Sequence, residues 1–303
     1  MKILIIGLGS IGKRHMKIIK ELNINSELYA LRSSKSANPL EDVENLYSWE
    51  EVKSHNFYFS IISSPSALHM NHIEKLSKLK IPIFVEKPLC ISKAQLKKLN
   101  KKKCSPIFYV AFNMRFHPLI VFLKDYLNKA NYKINEVNVY YGSYLPEWRS
   151  KNHRKVYSSI KALGGGVHLD LIHEPDYLFY LFGLPNKVYK NKRRVSSITK
   201  DSCDYANYIF EYKDFSALIT LNYFRRDKKR VLEIVTDHTT IELDFVNGTI
   251  IDLLKKTIIL KMEGDLMADS YKKQMEFWLK SIKQNNVTMN NLLESRMLLE
   301  KIL

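Results

Sequence analysis

The first fifteen residues of the chain, Met1–His15, read MKILIIGLGSIGKRH and decide the fold of its N-terminal part. Lys2–Gly7 is a continuous apolar run that predicts a buried β-strand. The run Gly7-Leu-Gly-Ser-Ile-Gly12 matches the pattern G-x-G-x-x-G, and Gly12–Leu22 then continues with apolar residues at helical spacing. A glycine-rich turn between a strand and a helix is the context in which this pattern predicts a dinucleotide-binding site.

Each glycine of this turn has a steric role. Gly7 permits the tight turn, and Gly9 lets the backbone approach a pyrophosphate. Gly12 lets the helix pack closely against the strand. The first helical turn, with Ser10 and Ile11, adds free N–H groups and a partial positive charge that attract phosphate. A glycine-rich turn that holds no ligand is the alternative interpretation.

The end of the second predicted strand, Glu27–Leu31, indicates which dinucleotide is bound. NAD enzymes usually carry an Asp or Glu at this point, where it holds the ribose 2′-hydroxyl. Here the only acid, Glu27, lies at the wrong end of the strand, and the cations and hydroxyls that follow Leu31 suit a 2′-phosphate. The pattern favours NADP(H) over NAD(H), with solvated surface charges as the alternative interpretation. The residues concerned are Arg32, Ser33, Ser34 and Lys35.

The order of the predicted elements indicates two domains. Apolar runs and helical patterns alternate over residues 1–116, which predicts a doubly wound parallel sheet of the Rossmann type. Strand-like runs follow one another closely between residues 187 and 262 and indicate an antiparallel or mixed sheet. Two predicted helices, Ser270–Ile282 and Asn290–Ile302, close the chain. We therefore predict an α/β plus α+β protein, with a dinucleotide-binding domain over 1–116 and an α+β domain over 117–303.

Composition narrows the class of protein. Hydrophobic residues make up 46% of the chain, enough for a sizeable core, and no apolar run approaches the roughly 18 to 20 residues of a membrane span. The N-terminus lacks the pattern of a secretory signal. Cys90, Cys104 and Cys203 have no metal-ligand spacing and are interpreted as free thiols. We expect a cytoplasmic protein with no membrane contact and no metal site.

The formal net charge of +17 raises the question of a nucleic-acid partner. The basic residues are scattered, and they cluster tightly only at 101–103, 192–194 and 225–230. No helix-turn-helix, zinc or RNA-binding motif accompanies them. We therefore expect no nucleic-acid partner, and note that an anionic small substrate suits the charge as well.

A second motif, Glu86-Lys87-Pro88, directly follows the predicted strand Ile81–Val85. Ligands of open α/β sheets bind at the carboxyl ends of the strands. A lysine at that edge can approach a reacting carbon, and its pKa shifts readily when it is desolvated. On its own, this short motif would be an ordinary surface sequence.

A third motif is Gly164-Gly-Gly-Val-His-Leu-Asp-Leu-Ile-His173. Its glycines permit close backbone approach or unusual dihedral angles. Asp170 and His173 are three residues apart and would share one face of a helix, where a carboxylate can orient an imidazole acting as general base. His168 competes for this role but would face elsewhere. An ordinary surface pair on a helix is the alternative interpretation.

Together these motifs resemble the Gfo/Idh/MocA family of oxidoreductases. The resemblance extends over nearly the whole chain and includes Ser63–His69 and Asn113–Pro118. It implies a Rossmann domain and a C-terminal domain built on a large, mostly antiparallel sheet, with the substrate between them beside the nicotinamide. Members mostly act on sugars, inositols or nucleotide-linked sugars and often pair through the open face of that sheet. We therefore expect a small-molecule sugar substrate and a homodimer or homotetramer.

The resemblance also implies roles for individual residues. Lys87 is the catalytic lysine, and Asp170 and His173 are the substrate-binding and acid/base pair, although many members space this pair four residues apart rather than three. The implied cofactor contacts include Ser64, Pro65, His69, Glu86 and Lys87. Residues flanking the motifs are substrate candidates, each with a structural role as the alternative: Arg115, Arg149, Tyr157 and Lys161.

The leading hypothesis is reversible hydride transfer between NADP(H) or NAD(H) and a carbon bearing a sugar hydroxyl or ketone. The segment Tyr141–Arg149 is similar to a branch associated with surface-polysaccharide or nonulosonate-type sugar biosynthesis. The second hypothesis is a dinucleotide-binding regulatory protein without turnover. Such a regulator would keep the glycine turn but would not need Lys87, Asp170 and His173 together.

Overall fold

The computed structural model describes residues 1–34, 40, 42–100, 107–148 and 152–303. Its backbone contacts divide the chain into two compact units. The first unit contains residues 1–112 and 271–299, and the second contains residues 113–270. The few remaining C-terminal residues, 300–302, group with the second unit.

Strands and helices alternate in the first part of the chain, and strands dominate its later part. The strands are β1 (Lys2–Ile6), β2 (Glu27–Leu31), β3 (Glu44–Leu46), β4 (Phe59–Ile62), β5 (Ile83–Val85), β6 (Phe108–Val110), β7 (Ile134–Tyr144), β8 (Lys187–Arg193), β9 (Tyr205–Glu211), β10 (Ser216–Asn222), β11 (Phe224–Thr236), β12 (Thr240–Asp244), β13 (Thr249–Asp252) and β14 (Thr257–Lys261). The helices are α1 (Ser10–Glu21), α2 (Trp49–Lys53), α3 (His69–Lys78), α4 (Lys93–Asn100), α5 (Pro118–Ala130), α6 (Val167–Asp170), α7 (His173–Phe182), α8 (Leu266–Lys283) and α9 (Leu292–Ile302).

The first unit is built on a six-stranded parallel sheet in the order β3-β2-β1-β4-β5-β6. This is the strand order of a doubly wound dinucleotide-binding fold, as the alternating pattern predicts. The central strands are fully buried, because helices cover both faces of such a sheet and leave no polar side to alternate with. Their carboxyl ends therefore meet at one edge, where Gly7, Ser63 and Glu86 follow β1, β4 and β5.

The C-terminal helix α8 contributes to the core of the first unit. Trp278 is completely buried and lies against the rings of Phe59, Phe84 and Tyr109, with centroids 5.7 to 5.9 Å away. The sequence analysis placed everything after residue 116 in the second domain, whereas residues 271–299 pack with the first unit. Helical periodicity shows that α8 has an apolar face, but it does not show which sheet that face covers.

The second unit is built on an eight-stranded sheet in the order β14-β13-β12-β11-β7-β10-β9-β8. Every pairing is antiparallel except that of β7 with β10. Helix α5 begins at Pro118, whose fixed φ suits a first helical position, and ends before Asn131 in the left-handed conformation. The sheet is thus mostly antiparallel, as the resemblance implied.

Some elements differ from the predicted pattern. Strands β3 and β13 were not predicted, and both are short enough to lack a clear periodicity. Strand β11 begins at Phe224, and its first part, residues 225–230, is too strongly charged to show the apolar pattern of a strand. Within the part of the chain that the structure describes, no helix is both long enough and apolar enough to cross a membrane.

Replacing Trp278 with alanine tests the packing of α8. We expect Trp278→Ala to lower the free energy of unfolding by about 3–5 kcal/mol, because it empties a buried aromatic cluster. Urea denaturation followed by circular dichroism measures the change. Lys273→Ala, at an exposed position of the same helix, is the control and should change stability by less than about 0.5 kcal/mol. Equal stability of the two variants would contradict the packing described.

Candidate functional site

The glycine turn brings backbone segments closer together than any side chain would allow. A Cβ atom on Gly7 would lie 2.7 Å from the nitrogen of Ser64, and the φ of Gly7 is +94°. A Cβ atom on Gly12 would lie 2.2 Å from the carbonyl oxygen of Gly7. The Ser63 hydroxyl fastens the turn, because it donates a 2.6 Å hydrogen bond to that same oxygen. Gly7 and Gly12 are thus required by packing.

Gly9 differs from the other two glycines because open space lies in front of it. Among the described residues, nothing comes within 4 Å of a Cβ atom built on Gly9. Gly9 is also the N-cap of α1, in an extended conformation that any residue can adopt and without a side-chain cap. The first N–H groups of α1, at Ser10 and Ile11, therefore face no capping side chain. This cradle fits the pyrophosphate of a dinucleotide.

The residues predicted to select the cofactor directly follow the end of β2. The backbone nitrogen of Arg32 donates to the carbonyl oxygen of Leu46, at 2.8 Å, and Arg32 Nη1 donates to Asn45 Oδ1, at 3.1 Å. Strand β3, which the sequence analysis missed, thus holds the base of Arg32. Ser33 and Ser34 follow and are exposed. Lys35 lies outside the described residues, so its predicted role stays a prediction.

The Glu86-Lys87-Pro88 motif follows β5, as predicted, and its carboxylate has a specific partner. Glu86 Oε1 lies 2.6 Å from His15 Nε2, and both side chains are buried. His15 occupies the face of α1 that also buries Gly12 and Ile18. Sequence reasoning missed His15, although a polar residue on the buried face of the helix was a signal. The pair fixes the segment carrying Lys87 to the helix that begins at the glycine turn.

His69 joins two loops at the same sheet edge. Its Nδ1 lies 2.9 Å from the Pro88 carbonyl oxygen and its Nε2 lies 2.9 Å from the Ser64 carbonyl oxygen. Burial lowers the pKa of His69, so the neutral ring carries one N–H and can donate to one of the two oxygens at a time. Because its ring is buried between these loops, His69 holds Ser64 and Pro88 together. Pro65 precedes this helical segment, and its contact with the cofactor, like that of His69, stays a prediction.

In the second unit, Asp170 and His173 lie in two helices and not in one. Asp170 is the last residue of α6, and His173 is the first residue of α7. The two residues would share one face only within a single helix, and the structure does not meet that condition. Pro175 is the physical reason, because its ring lacks an N–H and would clash with the carbonyl group of Leu171 in a continuous helix. The break sets the two side chains at consecutive helix ends.

Asp170 is held by a buried phenol. The Tyr223 hydroxyl donates a 2.5 Å hydrogen bond to Asp170 Oδ2, and Tyr223 is completely buried. Burial and the neighbouring carboxylate raise the pKa of Tyr223 well above its usual value, so the phenol keeps its proton and donates it to this bond. Sequence reasoning missed Tyr223, because the bond spans 53 residues.

Two further carboxylates of this segment are neutralised by arginine. Glu174 Oε1 lies 2.7 Å from Arg230 Nε. Asp176 accepts hydrogen bonds from Nε and Nη2 of Arg115 at 2.7 to 3.2 Å. Both carboxylates are completely buried. Arg115 was predicted to bind substrate, but its guanidinium is 2% exposed and committed to Asp176. The structure therefore corrects this prediction, since burying Asp176 requires a cation.

The glycines before Asp170 allow a neighbouring segment to pack against them. A Cβ atom on Gly165 would lie 2.3 Å from the carbonyl oxygen of Tyr157, and the Tyr157 hydroxyl donates to the Gly164 carbonyl oxygen at 3.0 Å. Gly164 and Gly166 adopt φ values of +90° and +133°. Both uses predicted for the glycines, close approach and unusual dihedral angles, are therefore confirmed.

The remaining predicted residues have different surroundings. The Lys161 side chain is exposed, and its backbone nitrogen donates to Asp201 Oδ1 at 2.7 Å. Arg149 lies outside the described residues. Burial lowers the pKa of His168 to about 3, which makes its ring a poor proton acceptor and favours His173 as the base.

The glycine turn offers a test that separates binding from folding. We expect Gly9→Ala to leave the melting temperature unchanged and to weaken dinucleotide binding at least about tenfold, because the new methyl group enters the open cradle. Gly12→Ala is the matched variant and should destabilise the fold by about 1–3 kcal/mol, because its methyl group meets a backbone oxygen. Thermal melts and quenching of protein fluorescence by NADH and NADPH give the two readouts. Unchanged affinity in Gly9→Ala would show that the dinucleotide does not bind at this turn.

Comparison with solved structures shows the same fold over whole chains. A levoglucosan dehydrogenase in complex with NADH superposes with a TM-score of 0.83 at 15% identity, covering 99% of this chain and 95% of that chain. A myo-inositol 2-dehydrogenase from Lactobacillus plantarum gives 0.78 at 15% identity, with coverage of 99% and 94%. GenD2 from gentamicin A biosynthesis, in complex with NAD, gives 0.80 at 14% identity, with coverage of 100% and 92%. At these identities the similarity shows a shared fold alone.

Comparison of sequences bears on the first unit. No curated protein matches the chain. Residues 1–104 match the model of the Gfo/Idh/MocA group, described as an oxidoreductase family with an NAD-binding Rossmann fold. This match supports the resemblance over residues 1–104, which contain the first two motifs, and the structure confirms the predicted fold class. Residues 1–104 are thus similar to the NAD-binding Rossmann domain of that oxidoreductase family, and the whole chain shares the fold of these solved dehydrogenases.

Proposed function

We propose that the protein is an NAD(P)-dependent dehydrogenase or reductase that acts on a CH–OH group of a sugar or polyol. The observation that carries this proposal is the bond from Tyr223 to Asp170, which orients a carboxylate at the residue that ends α6, just before His173 begins α7. A protein that only bound a dinucleotide would have no use for this arrangement. The solved dehydrogenases of the same fold include enzymes named for myo-inositol and levoglucosan.

The glycine turn would hold the dinucleotide of this reaction. The open cradle at Gly9 and the N–H groups of Ser10 and Ile11 suit its pyrophosphate. When bound, the nicotinamide supplies the hydride acceptor or donor. The protein's task is then to position the substrate and to move a proton.

Proton transfer is assigned to the helix ends in the second unit. In the direction of alcohol oxidation, the His173 imidazole accepts the proton of the substrate hydroxyl. The Asp170 carboxylate has one oxygen held by Tyr223, so its orientation toward a substrate hydroxyl is fixed before binding. In the direction of ketone reduction the same imidazole returns the proton.

Lys87 is assigned the role of stabilising the negative charge that develops on the substrate oxygen. A lysine ammonium stabilises an alkoxide as it forms, and takes part in the relay of its proton. The buried pair of Glu86 and His15 keeps the backbone of this segment in place. Lys87 is thus the residue expected to act on the substrate, and Glu86 is a positioning residue whose contact with the cofactor stays a prediction.

NADP(H) is the cofactor that we propose, because Arg32 follows β2 where an acidic residue would select NAD(H). The contact of Arg32 with Asn45 supports its position at that strand end. Within the broad substrate class, we propose a sugar of surface-polysaccharide or nonulosonate-type biosynthesis, on the likeness of residues 141–149. We also propose a cytoplasmic homodimer or homotetramer. The sugar class and the oligomeric state rest on the sequence resemblance.

Removing the two groups that handle the proton tests the proposed reaction. We expect Lys87→Ala and His173→Ala each to lower kcat/KM by about 10²–10⁴-fold, since each removes acid–base or oxyanion stabilisation. The measurement is NADPH and NADH turnover with a panel of sugars, inositols and nucleotide-linked sugars. Lys93→Ala and His238→Ala, at exposed positions, are the matched controls.

Dinucleotide affinity of the same variants separates an enzyme from a regulator. Both Lys87→Ala and His173→Ala should still bind NADPH, because the glycine turn is untouched. If both variants kept full sugar-dependent turnover, the roles assigned to Lys87 and His173 would be wrong. If the unmodified protein bound NADPH but turned over no member of the panel, the regulatory hypothesis would be favoured.

Reversing the charge at residue 32 tests the cofactor preference. We expect Arg32→Glu to raise the KM for NADPH at least about tenfold and to shift the preference toward NADH, because a carboxylate repels the 2′-phosphate and accepts from the 2′-hydroxyl. Lys53→Glu, an exposed charge reversal on α2, is the control. If the ratio of the KM values for NADPH and NADH were unchanged in Arg32→Glu, Arg32 would not select the cofactor.

A further inference from the structure

Strand β11 carries a large bulge with a concentration of positive charge. Phe224 pairs with Tyr144 of β7, but the next pair is Lys229 with Gly142. Residues 225–228 therefore loop out opposite Ser143 alone. Bulges of this kind re-aim side chains and are common next to active sites. We call residues 225–230, which contain five cations and one carboxylate, the basic bulge.

Only part of this charge is neutralised within the protein. Arg225 pairs with Asp227, and Arg230 pairs through Nε with the buried Glu174. Arg226 lies over the ring of Tyr144, 3.9 Å from its centroid. Over the described ranges, neither Arg226 nor Lys228 forms an ion pair with an acidic side chain, and both are exposed. Lys229 is likewise exposed and without an ion pair over these ranges, so the basic bulge presents three uncompensated cations.

A cavity of about 420 Å³ lies on one side of these cations. Its lining includes two aromatic rings, two cations and one carboxylate: Tyr144, Trp148, Arg226, Lys228 and Glu147. Trp148 Nε1 donates to Ser143 Oγ at 3.1 Å, which fixes the ring, while 37% of the residue stays exposed. A fixed, partly exposed indole is a stacking surface for the apolar face of a sugar.

Tyr223 links this cavity to Asp170, the carboxylate proposed to bind the substrate hydroxyl. The Trp148 ring lies edge-on to the Tyr223 ring, with centroids 5.3 Å apart, and the Tyr223 hydroxyl holds Asp170. A sugar on Trp148 would therefore lie one aromatic ring from Asp170. Both residues belong to the second unit, so this relation is internal to it.

A second cavity, of about 410 Å³, lies on the other side of Lys228. Lys228 also lines it, together with Arg230 and His117. Arg230 is 6% exposed and His117 is 2% exposed, and in the described structure Arg230 Nη2 and His117 Nδ1 have no hydrogen-bond partner. A buried donor without an acceptor costs roughly 1–3 kcal/mol, which an arriving oxyanion would recover at Arg230.

The acidic residues of the second cavity are already engaged. Glu263 lies 3.5 Å from the ammonium of Lys261, and Asp265 Oδ1 accepts from the Ala268 nitrogen at the start of α8. Burial lowers the pKa of His117 to about 3, so its ring is neutral and adds no charge. The cations that line this cavity are therefore Lys228 and Arg230, and its two carboxylates, Glu263 and Asp265, keep their charge.

We propose that the substrate carries an oxyanion, a phosphate or a carboxylate, and that the basic bulge binds it. Lys228 lies between the two cavities and is the principal ligand, with Arg226 on the side of Trp148 and Nη2 of Arg230 on the other. The sugar ring then stacks on Trp148, one aromatic ring from Asp170. This inference rests on the proposed function, since it names the class of sugar that the same site takes.

Equilibrium binding tests the proposal without relying on turnover. Inorganic phosphate, glucose 6-phosphate, glucuronate and glucose are titrated by isothermal titration calorimetry at constant ionic strength. We expect the three anions to bind at least tenfold more tightly than glucose. The order of glucose 6-phosphate and glucuronate tells whether phosphate or carboxylate is the preferred group.

Variants of the basic bulge locate the site. Lys228→Ala should weaken anion binding at least tenfold, and Arg226→Ala about threefold or more, whereas Lys229→Ala should leave it unchanged. Lys229 is an exposed cation of the same segment that lines neither cavity, so it controls for net charge. Phosphate bound at the glycine turn contributes equally to all variants and cancels in the comparison. Thermal melts confirm that the variants are folded, and Lys228→Gln replaces Lys228→Ala if they show otherwise.

The outcomes separate this inference from the proposed function. Anion affinities that are unchanged in Lys228→Ala and Arg226→Ala, or lowered equally in Lys229→Ala, would overturn the inference. If neutral sugars were nevertheless oxidised with NADP⁺, the proposed function would stand without it. If no sugar were turned over while Lys228→Ala still lost anion binding, the anion site would stand and the proposed function would fall.

Discussion

The contact between Gly12 and the carbonyl oxygen of Gly7 is the constraint on which the first unit depends. A Cβ atom on Gly12 would lie 2.2 Å from that oxygen, so no side chain fits between the start of α1 and the end of β1. Helix α1 therefore packs directly against the carboxyl edge of the sheet, where the Ser63 hydroxyl donates a hydrogen bond to the turn. This close packing also brings His15 within hydrogen-bond distance of Glu86. One steric requirement thus positions the open cradle, the end of β4 and the segment that carries Lys87.

The second unit is organised by buried charge. Burying an uncompensated carboxylate costs several kcal/mol, so Glu174 and Asp176 are stable only with Arg230 and Arg115 beside them. These pairs anchor the first turns of α7 to neighbouring segments. With α7 fixed in this way and broken from α6 by Pro175, the positions of Asp170 and His173 follow. The buried charges of the unit stabilise its architecture, whereas the exposed charges of the basic bulge are the ones that we propose bind a ligand.

Arg230 in β11 and Arg115, which precedes α5, show how two buried arginines come to have different roles. Arg115 binds both oxygens of Asp176 through Nε and Nη2, and its side chain is buried. Arg230 binds Glu174 through Nε and, in the described structure, keeps Nη2 without a partner beside a cavity. Their sequence contexts do not distinguish these roles. The roles differ because tertiary packing places different numbers of carboxylate oxygens around the two guanidinium groups.

The sequence by itself determined the features that depend on short-range sterics. Glycine spacing predicted the turn at Gly7–Gly12, and the alternation of strands and helices predicted the parallel sheet. Only the tertiary structure decided which groups separated along the chain meet. It paired His15 with Glu86 and Tyr223 with Asp170, committed Arg115 to Asp176, and placed α8 in the first unit. It also revealed the bulge in β11. Local patterns encode backbone conformation and the apolar face of an element, whereas the partner of a buried polar group is chosen by packing across tens of residues, which no local pattern records.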